Sequence, residues 1–169
     1  MVGKITSNLK ASCSLIPSIM GLSKYTTQNE QMLETRAHIA GTADVWEGNE
    51  ITEWGNRLEN INLIEAAARL AIAKYQLDVD TPLIHPTLPL EGSPDALLEG
   101  DGITIDTDPE RGIFVVGDDS ITLEGTGPGE SKITSVRPEE FPDMARGPLQ
   151  LQALMMCGGF SWGALTVLY

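Results

Sequence analysis

Glu130, Ser131 and Lys132 stand in a row, and the run Glu130-Ser131-Lys132-Ile133-Thr134 reads as an extended strand. Successive side chains of a strand point to opposite faces, so Glu130 and Lys132 share one face and Ser131 points to the other. A carboxylate beside an ammonium, joined by a second carboxylate from a neighbouring element, makes a hard-cation site with a built-in positive charge. Asp95, in Gly92-Ser93-Pro94-Asp95, is the candidate for that second carboxylate. Mg2+ takes oxygen ligands in near-octahedral geometry and keeps several waters, so Asp95, Glu130, the Ser131 carbonyl and waters would complete its shell. An ion held there would lower the pKa of a bound water and neutralise charge on a scissile phosphate, which is the chemistry of phosphodiester hydrolysis. Lys132 would orient or deprotonate that water, or stabilise the transition state. A surface strand can also carry Glu-x-Lys as a plain solvated pair, so the tripeptide alone does not decide.

The order of several short motifs adds to this reading. Ser12-Cys13-Ser14-Leu15-Ile16-Pro17-Ser18-Ile19-Met20-Gly21 comes first, then Trp54-Gly55-Asn56-Arg57-Leu58-Glu59, then Gly92-Ser93-Pro94-Asp95-Ala96-Leu97, Glu130-Ser131-Lys132 and Gln150-Leu151-Gln152. In that order and over nearly the whole chain, it resembles the YqaJ-like viral recombinase family. That family includes lambda exonuclease and belongs to the PD-(D/E)XK nucleases. The resemblance implies an α/β or α+β fold with a restriction-endonuclease-like core, and a Mg2+-dependent deoxyribonuclease in which Mn2+ can substitute. It implies that Glu59 adds a carboxylate for a second metal ion, and that Gln150 rather than Gln152 serves the site. The two glutamines lie about 200° apart on a helix, so only one can face it. It further implies 5′→3′ digestion of one strand of linear duplex DNA in phage or prophage recombination. A single-strand annealing protein is the expected partner and ring-like homo-oligomers are an expected assembly. Family exonucleases seize the 5′-phosphate with an arginine just before the Ser-rich opening motif. Residues 1–14 contain no arginine, which leaves Lys10, Lys4 and Ser14 as the candidates there. Lysine lacks the bidentate fork of arginine, so endonuclease activity is the alternative enzyme reading. A catalytically silent nuclease-like interaction module is the alternative from another class.

Composition bounds the reading. A chain of 169 residues with 41% hydrophobic content fits one domain, here 1–169, with residues 1–9 as a flexible lead. Family members usually continue beyond the point where this sequence stops, so a C-terminal extension is expected to be absent. The net charge of −13 excludes nonspecific coating of nucleic acid and makes DNA binding dependent on divalent cations. No segment is long and apolar enough to span a bilayer, and the N-terminus lacks a signal-peptide core, so the bacterial host cytoplasm is the expected location. Cys13 and Cys157 fit no metal-ligand spacing and read as free thiols. Two tempting motifs fail. Residues 125–132 lack the Gly-Lys-Ser/Thr ending of a phosphate loop. Residues 106–112 place Arg111 where a calcium loop needs glycine.

Elements must then bring these residues together. The pattern predicts a short helix within 11–21, a helix over 28–40 capped at Thr26-Thr27, and a long helix over 51–75 opening at Thr52 and anchored by Trp54. A strand or strand–turn over 89–99 carries Asp95. A hairpin follows over 102–124, turning at 108–112 and returning from Ile113. A flexible 125–129 run leads into the Glu130 strand. A proline loop over 137–148, a helix over 149–157 and a strand over 164–169 complete the chain. The expected architecture is a central mixed sheet flanked by helices. His85 reads as a satisfied loop histidine, and Trp46, Trp54 and Trp162 as core or boundary residues.

Overall fold

The longest helix stops earlier than its apolar pattern implies, and that stop makes room for the sheet. The computed structural model describes residues 10–42, 50–134 and 147–169. In it, α3 spans Glu50–Arg69. Ala71 turns into the left-handed region at φ 55, while the Ala71 N–H donates to the Ala68 carbonyl and the Ile72 N–H to the Ala67 carbonyl. This is the paired helix-ending motif usually built on glycine. No glycine marks it here, so the periodicity of 51–75 overran the end. Residues 74–77 form a strand instead, and Thr52 lies inside the helix rather than at its cap.

The expected mixed α+β architecture is observed, with its strands divided between two sheets. The larger has the order β2 (Lys74–Leu77), β5 (Ala96–Asp106), β6 (Ser120–Ile133), β7 (Ala164–Leu168). Its first two pairings are antiparallel, and β6 runs parallel to β7. The smaller sheet has β4 (Leu90–Gly92) between β1 (Ala11–Ser12), which is parallel to it, and β3 (Leu83–Ile84), which is antiparallel.

The hairpin differs from expectation in where it returns. Asp106 pairs with Ser120, and Ile113 makes only an isolated bridge to Asp108. The connection is fastened to the end of α3: Arg69 Nη1 donates to the Arg111 carbonyl at 2.9 Å, and Arg111 Nη2 to the Arg69 carbonyl at 2.5 Å. Residues 125–129 are the middle of one continuous strand rather than a flexible lead. Close packing accounts for Gly127 and Gly129, whereas Gly125 sits in open space with φ 69, in the left-handed region. A Cβ on Gly127 would meet the Trp162 indole at 2.6 Å.

The capped helix forms as read. In α2 (Gln28–Ala40), Thr27 Oγ1 accepts from the Glu30 N–H while Glu30 Oε2 accepts from the Thr27 N–H. This reciprocal pair satisfies two donors at the helix start. α1 (Ile16–Ile19) follows a 3₁₀ turn at Cys13–Leu15. α4 (Pro148–Gly158) has Pro148 in its first turn and Gly159 in the left-handed conformation at its end.

Two apolar clusters hold these elements. Leu63 and Ala67 of α3 pack with Ile72, Ala96, Leu98, Leu123 and Trp162. Cys13 and Leu90 pack with Ala153, Leu154 and Cys157 of α4. The two cysteines, 144 positions apart, meet with their sulfurs 3.7 Å apart, both as buried free thiols. Burial first, then the charge on the neighbouring thiol, pushes Cys13 well above the ordinary thiol range. Trp162 is a core residue as expected. Trp54 is not an anchor: it is half exposed, with the Arg57 guanidinium 5.3 Å from its ring centre. His85 is satisfied as expected, its Nδ1 accepting from the Thr87 and Leu88 N–H groups. Lys4, Trp46 and the 137–146 part of the proline loop lie outside the described residues. Among the described residues, no helix is long and apolar enough to cross a membrane.

Candidate active site

The larger sheet loses a strand at the place where its polar residues gather. Ala96, at the start of β5, pairs with Gly129. Past Gly129, Asp95 takes over the edge that β5 had covered. The Asp95 N–H donates to the Gly129 carbonyl at 3.0 Å, and Asp95 Oδ2 accepts from the Ser131 N–H at 2.9 Å. On the opposite edge, β7 stays paired from Gly129 to Ile133. The segment 130–132 therefore has a strand on one side and a carboxylate on the other. A side chain here does what a backbone carbonyl would do in a complete ladder, and it brings a negative charge with it.

The expected alternation of the strand is observed. Ser131 meets α3, where its Oγ accepts from Asn62 Nδ2 at 3.0 Å. Glu130 and Lys132 share the other face, which α4 covers. Glu130 Oε1 accepts from Lys132 Nζ at 2.5 Å and from Gln150 Nε2 at 2.6 Å. Glu130 is only 2% exposed, whereas the Lys132 side chain is one-third exposed. A buried carboxylate is stable only with partners that offset its lost hydration, and the ammonium and the amide supply them. Lys132 thus links an enclosed negative charge to the solvent-facing side of the site. Gln150 comes from the first turn of α4 and reaches Glu130, while Gln152 is exposed.

The opening segment lies on the same side as α4. β1 runs beside β4 with Ser12 level with Glu91, and the charge of Glu130 contributes to raising the Cys13 thiol pKa. Lys10 Nζ sits 3.9 Å from Glu91 Oε2, and Ser14 Oγ is 2.9 Å from Ser12 Oγ. Glu91 is 3% exposed. It was not singled out from the sequence, although a charged residue between Leu90 and Gly92 in a strand is a usable signal. Asn62 was also missed. The signal was a polar residue next to Leu63 on the buried stripe of α3, three positions after Glu59.

Glu59 is half-buried on α3, one helical turn before Asn62. Among the described residues, no group of three or more His, Cys, Asp or Glu side chains is arranged to hold a metal ion. The structure draws Asp95 and the Glu130 segment together through the Ser131 N–H, and it does not add Glu59 to them as a ready-made cage. By type, the Asp95 and Glu130 carboxylates and the Ser131 carbonyl would offer oxygen donors only, the kind Mg2+ takes with waters in its remaining positions.

No protein-family model matches the chain, and no curated protein sequence matches it either. Among solved structures, the chain is similar to a crystal structure of LHK-Exo in complex with dAMP. The TM-score is 0.60 at 18% sequence identity, covering 95% of this chain and 70% of the other. At that identity the likeness is one of fold.

Proposed function

We propose that this protein is a metal-dependent DNA nuclease that hydrolyses phosphodiester bonds at the end of β6. One observation carries the reading: Lys132 and Gln150 converge on the buried Glu130, while Asp95 is fastened to the next peptide of the same strand. The shared fold with LHK-Exo, whose structure holds dAMP, supports a nucleotide substrate.

In this reading Asp95, Glu130 and the Ser131 carbonyl would hold Mg2+ or Mn2+. Bound there, the ion supplies a water of lowered pKa and neutralises the phosphate. Lys132, beside Glu130, would orient the attacking water, would take its proton only as the neutral amine, or would meet charge developing on the phosphate as the ammonium. Gln150 keeps its amide on the Glu130 carboxylate and holds its orientation. Glu59, on α3, would serve a second metal ion. Lys10 and Ser14 would contact the DNA backbone or end. The recombination role, 5′→3′ polarity, an annealing-protein partner and a homo-oligomer belong to the same proposal.

The engagement of Lys10 by a buried glutamate weakens it as a grip on a 5′-phosphate, and this favours endonuclease cleavage as the second reading. One assay separates the two: 5′-phosphorylated linear duplex beside closed circular DNA, with and without Mg2+. Degradation of the linear form alone is expected of the exonuclease. Cutting of the circle identifies the endonuclease. No cutting of either form, with Mg2+ or Mn2+, would overturn the nuclease reading.

A further inference from the structure

Behind the site, on the face turned away from Glu130 and Lys132, lies a polar group in an otherwise apolar layer. Asn62 is 8% exposed. Its Nδ2 donates to Ser131 Oγ at 3.0 Å, and its Oδ1 accepts from Thr166 Oγ1 at 3.0 Å. Ser131 and Thr166 are register partners on the parallel strands β6 and β7. One amide on α3 therefore bonds both members of a cross-strand pair.

We propose that Asn62 is a positioning residue, a clamp that sets the register and depth of the strand segment that carries the site. The inference rests on the nuclease reading and deepens it. Its physical basis is the missing strand. From Glu130 onward, β6 has a strand neighbour on one edge only, so register there rests on fewer ladder bonds than in the rest of the sheet. A slip by one residue would turn Glu130 and Lys132 toward α3 and bring Ser131 to the α4 face. Asn62 opposes that slip, because a slipped β6 would put a charged side chain where Ser131 now meets the amide. The clamp also fixes α3 against β6, and Glu59 sits one turn away on the same helix face. The spacing of Glu59 from the site is thus set through Asn62. Partners of this kind, one step removed from the ligands, typically carry ~10–100-fold of metal affinity or activity when removed.

The test uses two variants, with Mn2+ calorimetry and DNA turnover as readouts. Asn62→Leu removes the clamp but leaves two half-buried hydroxyls without their amide. The triple variant Asn62→Leu, Ser131→Ala, Thr166→Val replaces the whole polar group with apolar groups of similar shape, which restores packing without restoring the clamp. We expect Mn2+ affinity to fall by about 10–100-fold in either folded variant, with kcat falling and KM for DNA little changed. The triple variant should unfold at a temperature close to that of the parent. A folded triple variant with parental Mn2+ affinity and kcat would overturn the clamp while leaving the nuclease reading intact. A parent protein that binds no Mn2+ would instead overturn that reading, and the clamp with it.

Discussion

Glu124 and Glu130 lie six residues apart on the same strand, yet their surroundings have almost nothing in common. Glu124 belongs to the outer half of β6, where the strand forms an exposed hairpin arm with β5. The Glu124 carbonyl accepts from the Trp162 indole at 3.0 Å, but its side chain is exposed, and the side-chain contacts around it are surface ones, such as Thr104 with Thr122 at 3.2 Å and Thr126 with Glu99 at 2.8 Å. Glu130 belongs to the inner half, enclosed between α3 and α4. Its carboxylate is shielded from water and held by an ammonium and an amide. The same functional group is a solvated charge in one place and an enclosed, paired charge in the other. Exposed charges interact weakly because water and salt screen them, whereas enclosed ones interact strongly and cannot be left without compensation. Most of the acidic excess belongs to the first kind, and so the net charge says little about the site.

This contrast can be broken at either end. The largest effect should come from Glu130→Ala. It removes the group on which Lys132 and Gln150 converge, and Mn2+ calorimetry should show binding lost and turnover reduced to background. Retained Mn2+ binding would mean that Glu130 is a structural ion-pair residue. Lys132→Ala should be next. Metal binding should persist while turnover drops at least about 100-fold, the usual scale for losing one electrostatic stabiliser. Equal turnover in parent and variant would remove Lys132 from the chemistry. The smallest effect should come from Glu124→Gln. Stability should stay within about 0.5 kcal/mol by thermal unfolding, and turnover should match that of the parent. A large loss there would show that the hairpin arm takes part in substrate contact and would erase the distinction between the two halves.

Much of the site was legible because strand geometry is local. The opposite orientation of Ser131 relative to Glu130 and Lys132 follows from a two-residue repeat, and the side chains obey it. The choice of Gln150 over Gln152 combined helix geometry with a motif resemblance, and the amide does reach Glu130. The reciprocal cap at Thr27 and Glu30 was likewise readable from residue types and spacing. The misreadings share a cause as well. The end of α3 is built on Ala71, which lacks the glycine signal. The glycines of 125–129 looked like flexibility, when Trp162 presses on Gly127, Leu63 on Gly129, and Gly125 takes a left-handed φ. Trp54 reads by residue type as a core or boundary anchor of its helix, but the face of α3 it occupies is turned to solvent.

By itself, the sequence determined which residues could do chemistry, which of them share a face, and where most helices and strands lie, because these depend on covalent geometry and short-range hydrogen bonding. Only the tertiary structure decided that β5 gives way at Asp95, that Asn62 reaches across two strands behind Ser131, that Glu91 is buried beside Lys10, and that Cys13 meets Cys157. Those outcomes come from packing between segments far apart in the chain. Local propensity carries no information about which distant side chain will fill a given gap.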